Sequence, residues 1–367
     1  MSTAIIGLAA AGKTTVFNAL TRGSADKGLY GATKSANIGV GAKPDARLDF
    51  IHHAFKSRRK VRAEMMFWDM PVDYASGTVL SRETVNSLQK AKALLLVVRK
   101  FEDSSTPHPD GSVDWLRDLE KLTFDILFAD IELLDRRVER VESDMKALKS
   151  PERVQAVANI EALKEIQMRL EDGLPLRSLS LDESASRAIS GSFVLSGLPF
   201  IVAVNVGEDD IGIDPEKLRS QASRSLGSNV IDDRTEVVPI CGSLEEELRS
   251  MDDAEADELR GDLGIAKDDS ETLMDACLRC MNTQTFYTAS DREARAWHFR
   301  TGASAPEAAG IVHSDMERGF IRAEVVAYDD FMRCGSIVEA RKQGVLRQEG
   351  KNYTFVDGDM ANFLFSV

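Results

Sequence analysis

The segment Gly7-Leu8-Ala9-Ala10-Ala11-Gly12-Lys13-Thr14-Thr15 carries the G-x-x-x-x-G-K-T spacing of a loop that holds phosphate. Gly7 and Gly12 let the backbone turn so that successive N–H groups, those of Ala9, Ala10 and Ala11 among them, point at phosphate oxygens. Lys13 brings a point charge to the β- and γ-phosphates. The Thr14 hydroxyl is a ligand for Mg²⁺, and Thr15 lies in the first turn of a helix whose positive end favours an anion. Such a site needs an acid at a second strand end to hold the water shell of the metal. Asp69, closing Glu64-Met65-Met66-Phe67-Trp68-Asp69, fills that place. A threonine that senses the γ-phosphate through Mg²⁺ belongs between the two, and Thr33 is the candidate. Lys13 and Thr33 are therefore the catalytic candidates, and Thr14, Thr33 and Asp69 the metal candidates. The base-reading loop is expected at Ala203-Val204-Asn205-Val206-Gly207-Glu208. A guanine reader carries N-K-x-D there. Here Val206 replaces the lysine and Glu208 the aspartate, which weakens guanine recognition, while Asn205 still shapes a base pocket. Gly242 is expected to add a backbone N–H to the base.

These residues need strands to deliver them. Apolar runs without clean alternation recur at Ala4–Leu8, Met65–Trp68, Ala93–Val98, Pro199–Asn205 and Val237–Ile240. Runs of this kind read as parallel strands buried on both faces, which predicts a doubly wound α/β nucleotide-binding domain. A helical insertion interrupts them. Leu127, Ile131, Leu134, Val138, Val141, Met145 and Leu148 follow the 4-3-4-3 spacing of a heptad seam. Lys149-Ser150-Pro151-Glu152 then reads as a break with Ser150 as N-cap and Pro151 opening a second helix. That helix carries Ile160, Leu163, Ile166 and Leu170 and stops at Gly173-Leu174-Pro175. The pair predicts an antiparallel coiled-coil hairpin that projects as an arm. From near Gln284 the pattern turns to short strands with Gly and Asp turns, ending on the alternating Asn362-Phe363-Leu364-Phe365-Ser366-Val367. The expected division is a nucleotide-binding domain at 1–115 and 191–283, an arm at 116–190 and a β-rich module at 284–367.

Composition narrows the class. The net charge is −14 over 367 residues, which argues against a broadly basic nucleic-acid binder. No apolar stretch approaches the ~20 residues of a membrane span, and the N-terminus has no charged leader, so a cytoplasmic protein is expected. Glu245 to Asp275 holds 13 acidic and three basic residues and reads as a solvated, loosely packed surface segment. The one basic cluster, Lys56-Ser57-Arg58-Arg59-Lys60-Val61-Arg62, reads as a solvated loop before a strand, with RNA phosphate as the competing reading. Cys277-x-x-Cys280 lacks a second pair for zinc and sits at helical spacing with Leu273, so a core helix face is expected.

With these pieces placed, the chain resembles the YchF/Obg-like ATPase family almost end to end. The resemblance is densest at Thr285-Phe286-Tyr287-Thr288-Ala289, Glu293-Ala294-Arg295-Ala296-Trp297, Ala305-Pro306-Glu307-Ala308-Ala309-Gly310 and Glu317-Arg318-Gly319-Phe320-Ile321-Arg322-Ala323-Glu324-Val325. These segments are similar to that family's TGS region. Supporting segments are Pro44-Asp45-Ala46-Arg47-Leu48, Val97-Val98-Arg99-Lys100-Phe101-Glu102-Asp103 and Gly173-Leu174-Pro175-Leu176-Arg177. Asn205-Val206-Gly207-Glu208 is similar to the family's N-x-x-E motif, which goes with ATP over GTP. The resemblance implies a P-loop NTPase domain of G-protein type, an inserted helical arm and a C-terminal β-grasp-like TGS domain. It further implies Mg²⁺ as cofactor, ATP as ligand ahead of GTP and the ribosome as partner; RNA as a further partner, a monomer and no membrane binding are expectations separate from it.

Two departures bear on function. Ala9, Ala10 and Ala11 replace the family's Pro-Asn-Val, while Gly12-Lys13-Thr14-Thr15 is intact. After Asp69 the family has D-x-x-G, and this chain has Asp69-Met70-Pro71-Val72-Asp73. Val72 therefore stands where a glycine N–H contacts the γ-phosphate. The leading expectation is a slow, ribosome-associated ATPase switch. A nucleotide-gated scaffold with little hydrolysis and a true GTPase are the alternatives.

Overall fold

The computed structural model describes residues 1–366 apart from 22–35, 72–79, 146–148, 264 and 266–267. Thr33, Val72 and Asp73 lie outside the described residues, and so does Leu148 at the end of the heptad seam. The strands are β1 (Ser2–Gly7), β2 (Asn37–Gly41), β3 (Arg59–Val61), β4 (Met65–Asp69), β5 (Ala93–Arg99), β6 (Phe200–Asn205), β7 (Glu236–Ile240), β8 (Thr283–Ala289), β9 (Glu293–Arg300), β10 (Phe320–Ala327), β11 (Arg347–Glu349) and β12 (Asp359–Phe365). They form two six-stranded sheets, β2-β4-β1-β5-β6-β7 and β11-β10-β12-β8-β9-β3.

All five apolar runs enter the first sheet. β1, β5, β6 and β7 run parallel in unbroken register, with Gly7 opposite Val97 and Asn205 opposite Ile240. Residues on both faces of β5 and β6 are buried, as continuous runs such as Ala93-Leu94-Leu95-Leu96-Val97-Val98 require. β2 at the sheet edge had no apolar signature. It alternates half-buried and exposed positions.

The insertion consists of helices Trp115–Asp144 and Ser150–Glu171. Gln167 donates to Asp135 at 2.6 Å and Lys164 to Glu142 at 3.2 Å, so the partners run in opposite senses and the helices are antiparallel. Leu127, Leu134, Val138, Ile160, Leu163, Ile166 and Leu170 bury one another in a cluster of their own. The second helix starts one residue earlier than expected. Lys149 takes the cap position, and its N–H donates to the Glu152 carboxylate at 3.3 Å. Asp130, buried on the first helix, accepts the N–H groups of Leu195 at 2.8 Å and Ser196 at 2.7 Å. Burial outweighs those bonds and lifts its carboxyl to about 6.

The acidic segment is not loose surface. Glu245 is 3% exposed, and helix Asp269–Cys280 buries Leu273, Met274, Ala276 and Cys277. Glu245 faces inward and accepts the Asp269 N–H at 3.0 Å, and Leu244, Leu248 and Ala256 put the apolar faces of the segment's other helices into the core around the sheet. Cys277 and Cys280 lie in that core, as their spacing predicts, and burial pushes both thiols up, Cys280 to about 12.

The chain divides into two compact units, one of Ser2–Gly39 with Phe67–Cys280 and one of Met1, Val40–Met66 and Met281–Val367. In the second, the β8–β9 hairpin, β12 parallel to β8 and β10 antiparallel to β12 and β11 form a β-grasp sheet. Helix Ala46–Phe55 packs on it through Leu48 and Ile51 against Tyr287, Ala294 and Phe331. The basic cluster is not a loop. Arg59–Val61 is strand β3, parallel to β9.

Candidate functional site

The phosphate-binding loop leaves the C-terminal end of β1 and enters helix Lys13–Thr21. Gly7 is required by proximity, since a Cβ there would run into the Val97 carbonyl of β5. Gly12 is required twice over. Its φ is +86°, and a Cβ would overlap the Asn205 amide nitrogen. Ala10 takes a left-handed φ of 58° with a Cβ present. That conformation costs an L-residue about 1 kcal/mol, and asparagine tolerates it better. Ala10→Asn is therefore expected to raise the unfolding free energy by about 0.5–1 kcal/mol, read as a shift of the denaturation midpoint at unchanged slope. No shift would show that the loop relaxes around Ala10.

Lys13 folds back along the loop, and its ammonium donates to the Leu8 carbonyl at 3.0 Å. Burial lowers it to about 8, against the opposing pull of Asp69. The Thr14 hydroxyl donates to Asp69 Oδ2 at 2.8 Å, and Asn37 Nδ2 reaches the same oxygen at 3.3 Å. The structure thus brings Lys13, Thr14 and Asp69 together across 55 residues of sequence. A hydroxyl and a carboxylate at this separation form a hard-oxygen pair suited to Mg²⁺.

Asn205, at the end of β6, works as a strut. Its Nδ2 donates to the Ala11 carbonyl at 3.0 Å, and its Oδ1 accepts the Gly242 N–H at 3.1 Å. The N–H assigned to the base at Gly242 is thus directed at Asn205. Gly242 also touches Thr15, whose methyl would lie 3.0 Å from a Cβ. Val206 is buried. Glu208 is exposed on the turn that follows, where Asp210 pairs with Lys100 at 2.5 Å.

One residue escaped motif reasoning. Arg99 ends β5 and is 1% exposed. It donates to the carbonyls of Phe101 at 3.0 Å and Thr106 at 2.9 Å, with longer contacts to Asp103 and Ala10, and its guanidinium lies 4.5 Å from the Phe101 ring. It ties the phosphate loop to the segment after β5. An arginine closing the apolar run Ala-Leu-Leu-Leu-Val-Val-Arg was the available signal.

The other grouping with metal-ligand character among the described residues is His108, Asp110 and Asp118. Both ring nitrogens of His108 are engaged there, Nδ1 by the Asp110 N–H at 3.1 Å and Nε2 by Asp118 at 2.8 Å. That arrangement fastens the start of the arm.

Comparison with known proteins places this geometry in context. The family model YchF-GTPase_C, described as a protein of unknown function (DUF933), matches residues 283–366. The chain is 33% identical to the ribosome-binding ATPase YchF of Bacillus subtilis (strain 168) over the whole of both chains. It is 33% identical to that of Escherichia coli O157:H7 over 99% of this chain and 98% of the relative. The structure of the Schizosaccharomyces pombe YchF GTPase superposes with a TM-score of 0.83 over 99% of this chain and 97% of the other, at 23% identity, and so shares the fold. With full-length identity above 30%, a matching C-terminal family model and a phosphate loop built on a doubly wound sheet, the chain belongs to the YchF family.

Proposed function

We propose that this protein is a Mg²⁺-dependent, ATP-binding and slowly hydrolysing P-loop NTPase that works as a ribosome-associated switch in the cytoplasm. The observation that carries the reading is the meeting of Lys13, Thr14 and Asp69 beside a loop whose backbone Gly12 turns inward. Lys13 holds the β- and γ-phosphates, and the loop N–H groups from Ala9 to Thr15 cradle them. Thr14 and Asp69, with Thr33, would hold Mg²⁺, which supplies charge neutralisation between the phosphates when bound. Asn205 braces the pocket, and Glu208 with Val206 gives adenine its preference over guanine. Catalysis in this reading is positioning and electrostatic stabilisation. The proposed division is a nucleotide-binding domain at 1–115 and 191–283, an arm at 116–190 and a TGS-like module at 284–367, except that helix Ala46–Phe55 and strand Arg59–Val61 pack with the TGS-like module.

The relatives named ribosome-binding ATPases support the partner and the nucleotide. Among the described residues, no helix is long and apolar enough to cross a membrane. The test is phosphate release from Mg·ATP by the purified protein with and without ribosomes, alongside co-sedimentation. Slow release and nucleotide-dependent sedimentation are expected. Tight ATP binding without any release would move the reading to a nucleotide-gated scaffold, and failure to sediment with ribosomes would remove the partner.

A further inference from the structure

Asp69 is 6% exposed, and a buried carboxylate has to be met by donors. Among the described residues, the Thr14 hydroxyl donates to Oδ2 at 2.8 Å and the Asn37 side-chain amide donates to the same oxygen at 3.3 Å. The Lys13 ammonium attracts the carboxylate through charge. A carboxylate offers acceptors only, so the NH₂ group of Asn37 must be the one that faces it.

Two of these three groups have another task once nucleotide is bound. In the reading above Lys13 goes to the β- and γ-phosphates and the Thr14 oxygen to the metal. Asn37 has neither task, so its amide is the donor that stays with Asp69. The donor is also neutral. A lysine or arginine in its place would bind the carboxylate more strongly, but it would set a cation against the metal.

The strand that presents Asn37 is seated for this contact. β2 is the edge strand beside β4, and Asn37 opens β2 while Asp69 closes β4. Asn37 and Gly39 lie on the half-buried face of β2, and Ile38 points the other way at 66% exposure. Gly39 lets that face press on helix Lys13–Thr21. A Cβ there would lie 2.7 Å from the Thr21 methyl and 2.8 Å from the Phe17 ring, so any other residue would hold the strand off the helix. Residues two apart share a strand face, and the close seat at Gly39 therefore sets where Asn37 reaches.

From this geometry we propose that Asn37 is a positioning residue for the metal site: its amide holds the Asp69 carboxylate in the orientation that receives Mg²⁺, and Gly39 places it there by seating β2 on the helix of the phosphate loop. Asn37 acts through Asp69 and is not itself a ligand. The inference rests on the Mg²⁺- and ATP-binding reading above and adds to it a residue from a third element.

The test follows the Mg²⁺ midpoint of the complex with a fluorescent, non-hydrolysable ATP analogue. Full-length wild type, Asn37→Ala, Asp69→Asn and the double variant are compared. Groups that orient metal ligands in this way typically carry about ten- to a hundredfold in metal affinity, so Asn37→Ala is expected to move the midpoint to about tenfold higher Mg²⁺. Its affinity for the analogue at saturating Mg²⁺ is expected to match wild type, which separates the effect from misfolding. In the Asp69→Asn background the same change is expected to add less than about twofold, because the carboxylate it acts through is gone. A wild-type midpoint in Asn37→Ala would overturn the assignment. So would a shift of undiminished size in the Asp69→Asn background, since Asn37 would then act without Asp69. Weaker analogue binding at saturating Mg²⁺ with an unchanged midpoint would overturn it in favour of a direct nucleotide contact. A wild type that binds the analogue without responding to Mg²⁺ would remove the metal reading itself, and this inference with it.

Discussion

Lys13→Ala is expected to weaken Mg·ATP binding at least about a hundredfold at pH 7 while the protein stays folded. A charge-assisted hydrogen bond contributes about 1.5–3 kcal/mol, Lys13 has two phosphates to reach, and each 1.4 kcal/mol is tenfold in affinity. The fold does not depend on the ammonium. It sits against one carbonyl, and burial pushes it down to about 8. Removing it relieves a buried charge, so the thermal midpoint is expected to hold or rise.

The same lysine sets a pH dependence. Phosphate favours the ammonium, so its titration rises when nucleotide binds. Above pH 8 the ligand-free protein has released that proton, and binding must take one up. Affinity is expected to fall by up to about tenfold per pH unit from 8 to 10, with proton uptake visible by calorimetry in buffers of different ionisation enthalpy. Stability of the ligand-free protein moves the other way. The folded value lies below the unfolded 10.5, so the unfolded chain binds more protons between 8 and 10.5, and this group adds stability as pH rises through that window. Glu245 acts in a separate window. Burial beside Asp268 and Asp269 raises it from 4.5 to about 8, so its contribution to stability declines as pH rises from 4.5 to 8. pH-independent ATP affinity from 7 to 10 would contradict the role given to Lys13.

Gly12→Ala has the second large effect. The backbone there is left-handed at φ +86°, and the added methyl would overlap the Asn205 amide. Asn205 would have to give up the Ala11 carbonyl, the Gly242 N–H or both. Each buried polar group left without a partner costs about 1–3 kcal/mol, beyond about 1 kcal/mol of backbone strain. An ATP affinity loss of about a hundredfold and a lowered thermal midpoint are expected together. Gly111→Ala is the matched control, since Gly111 has φ +80° and nothing within 4 Å of a Cβ. It is expected to lose about 1 kcal/mol of stability and no affinity. Equal effects at the two glycines would show that strain alone matters and that the Asn205 strut does not.

The sequence carried the first sheet well because parallel strands buried on both faces must be written as apolar runs. It carried Lys13, Thr14 and Asp69 because phosphate and metal chemistry restricts residue type and spacing. It did not carry β2 or β3. Short edge strands bury few side chains, and β3 is built from Arg59, Lys60 and Val61, whose charge reads as loop. Nor could it place residues 40–66, because the partners of Leu48 and Ile51 lie at Tyr287 and Phe331. Contacts of that separation leave no local period. The acidic stretch was misjudged by counting charge without face. Leu273, Met274 and Cys277 show the helical stripe that charge totals hide. The role of Arg99 is a different case: its place at the end of an apolar run is legible, but what it binds is not. Its partners are backbone carbonyls, which no residue type announces.

The central claim is that the loop at Gly7–Thr15 holds the triphosphate of an adenine nucleotide. Calorimetric titration of the wild-type protein with Mg·ATP and, separately, Mg·GTP at pH 7 tests it most directly. One saturable site for ATP is predicted, with GTP at least about tenfold weaker because Glu208 and Val206 replace the guanine-reading pair. Absence of saturable binding for both nucleotides, or tighter binding of GTP, would contradict the account.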